Sequence, residues 1–356
     1  MIADKFAQTR EVLISDWPFD LTATAEVPFH KSRVCGKPAE YRGDHNMPRH
    51  RCWPRSLAAI MCGVPLVFGM PSAAQAEDDA APSTKSRNGG FPELDSKYLF
   101  GNFTRGASVG DEGERAIEPD TVANFGKRSG QYAATLTELE LEYSPTRFLQ
   151  LELGPTISYY NIHGVPGLND RSTGVVNGFN GTIRSLLIEH GQWPFEVTLS
   201  VEPEWHNFDQ TNGDTVSNYA LETKIEADAE LIKNRLFYAF NILYEPEGTI
   251  TGANPTGWDP ESTVGVSSAL AYQVIPNVVI GADLWYLRHY EGTTLNSFTG
   301  DAVYLGPTFF WKISSKTLIS ASWEAQIAGR EIVGPSPLNL ADFSRQRARL
   351  LLEFEF

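Results

Sequence analysis

Charged side chains in this sequence recur at every second position, and that spacing limits the chemistry they could do. Glu138, Glu140 and Glu142 alternate with Leu139, Leu141 and Tyr143. Glu202 and Glu204 alternate with Val201, Pro203 and Trp205. Glu222, Lys224 and Glu226 repeat the pattern, and Arg347 and Arg349 repeat it near the end. A period of two places each set on one face of an extended strand. Stacked carboxylates of this kind make a field that favours cations. The same groups could instead pair with Lys224, Arg184, Arg347 and Arg349 in a sealed polar interior, because buried charges need partners. Both readings stay open at this stage.

Catalytic chemistry finds less support. His163, His190, His206 and His289 are the histidines of the later chain, and His206 ends a strand with Glu204 two residues earlier on the same face. A Ser/His/carboxylate hydrolase would need a nucleophile beside one of them, and no nucleophile-elbow motif is present. No catalytic residue, cofactor or metal ligand is therefore assigned. Cys35, Cys52 and Cys62 all lie early in the chain, so removal of that part would leave no cysteine, and CxxC metal sites and disulfide scaffolds would drop out together. A formal net charge of -15 argues against nucleic acid as a partner, since phosphate binding needs clustered Lys and Arg.

Alternation must be carried by strands, and the strands are long. Phe195 to His206 shows the cleanest split: Phe195, Val197, Leu199, Val201, Pro203 and Trp205 share one face, with polar residues on the other. Further strands are predicted near 116-126, 135-143, 149-159, 181-189, 219-230, 236-247, 262-274, 278-288, 301-312 and 317-327. Segments of about 10 residues suit a tilted crossing of hydrocarbon. Short turns at 144-147, 190-194, 231-235, 275-277 and 313-316 alternate with longer polar loops at 161-180, 207-218, 248-261, 289-300 and 328-344. Outward aromatics cluster at both strand ends: Tyr143, Phe195, Tyr238, Tyr272 and Trp311 on one side, and Tyr159, Trp205, Tyr219, Tyr244 and Tyr286 on the other. Short turns at one end, long loops at the other and two aromatic girdles are what a membrane barrel requires. A soluble β-sandwich or lipocalin-like barrel would alternate too, but would not need those features.

The beginning of the chain reads as an export signal. Residues 1-46 precede Met47 and read as an over-called extension. From 47 to 76, Arg49, Arg51 and Arg55 form a basic start, Leu57 to Met70 an apolar run, and Ala74-Gln75-Ala76 a small-x-small cleavage pattern, with cleavage predicted after Ala76. Residues 77-115 read as a periplasmic linker or a plug, with apolar residues at Tyr98, Leu99, Phe100 and Phe103.

The chain ends on a strand in which Ala348, Leu350, Leu352, Phe354 and Phe356 share one face, opposite Arg347, Arg349, Glu353 and Glu355. This terminus resembles the last strand of bacterial outer-membrane β-barrels of the porin and transporter kind, and the resemblance extends over 116-356. It implies that Leu352, Phe354 and Phe356 signal to the barrel-assembly machinery. The expected fold is all-β: a transmembrane antiparallel up-and-down barrel of about twelve strands, preceded by a signal peptide and placed in outer-membrane lipid. The expected function is a pore or transporter for a small, cationic solute with an acidic lumen. A sealed structural or loop-binding barrel and an outer-membrane lipid hydrolase are the alternatives.

Overall fold

The computed structural model describes residues 91–356 apart from 192, 253 and 333–335. The extension at 1-46, the signal peptide at 47-76 and the first part of 77-115 lie outside the described residues. Twelve strands follow one another: β1 (Arg115–Phe125), β2 (Gln131–Thr146), β3 (Leu149–His163), β4 (Arg171–Ile188), β5 (Glu196–Phe208), β6 (Thr215–Ile232), β7 (Leu236–Thr251), β8 (Asn254–Ile275), β9 (Val278–Glu291), β10 (Ser297–Ser314), β11 (Thr317–Glu331) and β12 (Gln346–Glu355). Each pairs antiparallel with its neighbours in sequence, and β1 pairs with β12 to close the barrel, with Phe125 opposite Gln346 and Ala116 opposite Glu355. Closure leaves no edge, so every strand finds backbone partners on both sides without water.

The period-two pattern is resolved outward for the apolar residues. Leu141, Leu153, Ile225, Ile280, Leu305 and Phe354 are all exposed, as are the girdle aromatics Tyr143, Tyr159, Tyr219, Tyr272 and Trp311. A water-soluble protein would bury these faces, and a contiguous apolar outside of this extent is the surface that lipid solvates. The barrel is therefore a transmembrane one, and the soluble sandwich is excluded.

The short turns fall where alternation breaks, at 147–148, 233–235, 276–277 and 315–316. The opposite loops are shorter than the composition predicts. β3 and β4 continue pairing out to Ile162 and Arg171, and β7 and β8 to Thr251 and Asn254. The extensions are Gly-, Asn- and Asp-rich because they are exposed hairpins rather than lipid-facing strand. Trp258 shows how they are held: its ring lies against Gly248, where a Cβ would collide, and stacks on Tyr219 with centroids 6.3 Å apart. Among the described residues, the longest separation between successive strands is that between Glu331 of β11 and Gln346 of β12.

Candidate functional site

The inside of the barrel is built on two levels. At the short-turn end the lumen is filled by residues 91–114, which enter, turn near Gly101 and return to begin β1. Tyr98, Leu99 and Phe100 are buried with Phe237, Ala239, Ala271, Val279, Phe310 and Leu351 from the inner strand faces. The large side chains among these, such as Leu99 and Phe100, each contribute about 1.5–3 kcal/mol through burial. Gly101 takes φ +82°, and a Cβ there would meet Ser322 Cβ at 2.8 Å and Thr308 Cβ at 2.9 Å, so a side chain is excluded on both counts.

Polar contacts from this segment reach round the barrel. Lys97 Nζ bonds to Glu142, with Glu118 at 3.4 Å and Glu353 at 3.6 Å, joining β2, β1 and β12. Tyr98 Oη donates to Glu118 (2.6 Å), and Arg105 Nη2 pairs with Glu152 on β3 (3.1 Å). Thr104 Oγ1 donates to Asp283 on β9 (2.8 Å), and Asn241 on β7 exchanges hydrogen bonds with the Arg105 backbone. Arg184 on β4 pairs with Glu226 (2.6 Å) and donates to the carbonyls of Gly106 and Ser108. Asp228 accepts from both Ser96 Oγ and Ala107 N–H, which pins the two legs together.

Above this segment lies a cavity of about 360 Å³ whose lining reaches Gln210 and Phe343 in the connections at the long-loop end. Glu138, Glu202, Glu204, Glu222 and Glu245 line one side with Lys224. Phe103, Leu243, Trp285, Leu287 and Phe343 line another, with Arg347 and Arg349. Asn180 Nδ2 donates to Glu140 (2.9 Å) and Glu202 (3.0 Å). Among the described residues, Glu138 and Glu245 have no hydrogen bond or ion pair. The Arg347 guanidinium lies 4.2 Å from the centroid of Phe103 and 4.4 Å from that of Tyr304, so the top of the filling segment meets the cavity floor through a cation–π stack.

The charged residues singled out by alternation therefore separate into groups that sequence could not distinguish. Glu142 and Glu226 belong to the filled level, held by Lys97 and Arg184. Glu138, Glu202, Glu204, Glu222, Lys224, Arg347 and Arg349 face the cavity, and Glu140 is buried beside them. Several are neutralised locally: Lys224 by Glu222, Arg347 by Glu324 and Arg349 by Asp120. Glu118, Asp120, Glu245, Asp283 and Glu324 escaped the sequence reading, although the same parity within their strands marks them. Leu352 and Phe354 are on the outer face of β12 and Phe356 follows its last residue, with Phe354 and Phe356 exposed.

The histidines are scattered. His206 is buried, with Nε2 2.8 Å from Glu204 and Nδ1 3.5 Å from Thr156 Oγ1. His163 lies 3.8 Å from Asp170, and His190 is exposed in a short turn. His289 faces inward near the long-loop end. At that end Lys127, in the 126–130 loop, donates to the carbonyls of Ala341 and Phe343, both at 3.1 Å. Burial pushes its pKa down to about 8, against the opposing pull of Asp342, Asp209 and Glu331.

An apolar exterior, full closure and a polar interior entered by residues 91–114 define a transmembrane β-barrel of the outer-membrane type. The chain belongs to the family of unknown function DUF6662, whose model matches residues 93–356. No curated protein matches the sequence. Among solved structures it is similar to the COG4313 outer membrane channel from Pseudomonas putida F1, at 12% identity and TM-score 0.49, covering 70% of this chain and 98% of that one. It is also similar to the NanC porin (8% identity, TM-score 0.41, 67% and 100% covered) and the KdgM porin (9%, 0.39, 68% and 99%).

Proposed function

We propose that this protein is an outer-membrane pore or transporter that moves a small, preferentially cationic solute, with residues 91–114 as its gate. The observation that carries the reading is the cavity wall. Carboxylates of Glu138, Glu202, Glu204 and Glu245 face an open space with fewer cations than anions, and a solute cation would complete the balance. On this reading the long-loop end faces outside and the short turns face the periplasm, as in other bacterial barrels. Export would follow cleavage after Ala76, and the β12 face carrying Leu352, Phe354 and Phe356 would be read by the assembly machinery. A specific observation also supports the alternative of a sealed barrel: in the lower lumen residues 91–114 carry a buried apolar cluster and ion pairs to the wall.

Planar-bilayer conductance of the full protein under a salt gradient separates the two. The gated pore predicts openings that prefer cations, with the preference reduced in the Glu202→Gln, Glu204→Gln double variant. Openings that are anion-selective, or whose selectivity ignores that double substitution, would refute the reading. A folded barrel that never opens supports the sealed alternative.

A further inference from the structure

Above the cavity, three inward side chains on adjacent strands converge. They are Glu247 of β7, Glu261 of β8 and His289 of β9, and their ligand atoms all lie within 4.8 Å of one another. Glu247 sits directly opposite Glu261 in the ladder, and His289 lies diagonal to Glu261, opposite Thr263. His289 Nε2 is 3.4 Å from Glu261 Oε2. Two donors on a tetrahedral ion with bonds of about 2.1 Å are separated by about 3.4 Å, which is the His289–Glu261 spacing, and Glu247 lies within 4.8 Å of both.

Groups outside the triad orient it. His289 Nδ1 is 3.0 Å from Thr299 Oγ1, and in the tautomer that donates from Nδ1 the Nε2 lone pair is left facing the carboxylates. Asn218 Nδ2 donates to Glu247 at 2.9 Å. The donor set of one imidazole and two carboxylates selects a transition ion over Ca²⁺ or Mg²⁺, which take oxygen ligands alone.

The position gives this site its meaning. Glu245, Thr263 and Leu287 line the cavity, and each lies two residues below Glu247, Glu261 or His289 on the same strand face. We infer that Glu247, Glu261 and His289 form a divalent transition-metal site at the mouth of the lumen, and that such an ion is the solute drawn toward the acidic wall beneath. Three protein ligands leave a coordination position open, as an ion that must be released requires. The identity of the solute rests on the pore reading; the site itself does not.

The test is titration calorimetry of the metal-stripped full protein in detergent with ZnCl2. Saturable binding of about one Zn²⁺ per chain is expected. His289→Ala and Glu261→Gln should each weaken it at least about tenfold, and Thr299→Val should weaken it by a similar factor through loss of ring orientation. Excess Ca²⁺ should not displace the ion. Heat-modifiable gel migration verifies that each variant remains a folded barrel. Absence of saturable Zn²⁺ binding, or binding indifferent to His289→Ala in a folded barrel, overturns the site. Zn²⁺ binding in a barrel that never conducts keeps the site and refutes the pore. Cation conductance without Zn²⁺ binding does the reverse.

Discussion

Lys97→Met should loosen the segment that fills the lumen far more than its loss of size implies. The ammonium group stands among Glu118, Glu142 and Glu353, all buried, and its removal leaves three carboxylates without their cation. Removing one partner of a buried ion pair costs about 3–5 kcal/mol. Methionine keeps most of the side-chain volume, so little of that cost comes from a cavity. At about 1.4 kcal/mol per decade, the undocked population should rise roughly a hundredfold to several thousandfold. Tyr98, Leu99 and Phe100 still anchor the segment, so the docked state remains the majority and the change appears in opening. A cysteine placed at the fully buried Ala107 reports it. Its thiol should react with a maleimide in proportion to the open population, read by mass spectrometry of the peptide that contains it. Lys97→Arg keeps the charge and should stay within about tenfold of the parent, the smaller change that a retained charge allows. Equal labelling rates for Lys97→Met and the parent would show that these ion pairs do not hold the segment.

Two further outcomes follow from other parts of the molecule. Lys127 loses its proton near pH 8 in the folded protein but near 10.5 when released, so the unfolded state binds more protons between those values. Docking of 336–345 should therefore strengthen as pH rises from 8 to 10.5 and stay flat below 8. Hydrogen exchange corrected for intrinsic rate measures this, Lys127→Met should abolish the dependence, and protection that falls across the window contradicts it. Phe356→Ala removes an exposed ring at the end of the β12 outer face. If that face is the assembly signal, the variant should accumulate unassembled in the periplasm several-fold over the parent, while detergent-refolded protein keeps the same heat-modifiable migration. Equal assembly in cells would refute the role.

Fold class was legible in the sequence because a lipid-facing barrel writes its geometry into local pattern. Strand side chains alternate strictly, so Leu139, Leu141 and Tyr143 against Glu138, Glu140 and Glu142 already specify two faces. The outward face of the last strand, Leu350, Leu352 and Phe354, follows from the same reading. Loop lengths were less legible, since residues such as Asn161, Thr173 and Gly248 have the composition of loops but pair in hairpins that extend past the lipid.

What tertiary structure alone decided is which inward charge meets which partner. Parity places Glu142, Glu202 and Glu226 on one face but is silent about height along the axis and about the angle around it. Those coordinates depend on the ladder register and on the path of residues 91–114, which bring Lys97 to Glu142 and leave Glu202 facing the cavity. Glu247, Glu261 and His289 lie on three different strands, and Glu247 and His289 share no direct ladder pairing. Their approach is a product of the sheet's register, and no local pattern in the chain encodes it.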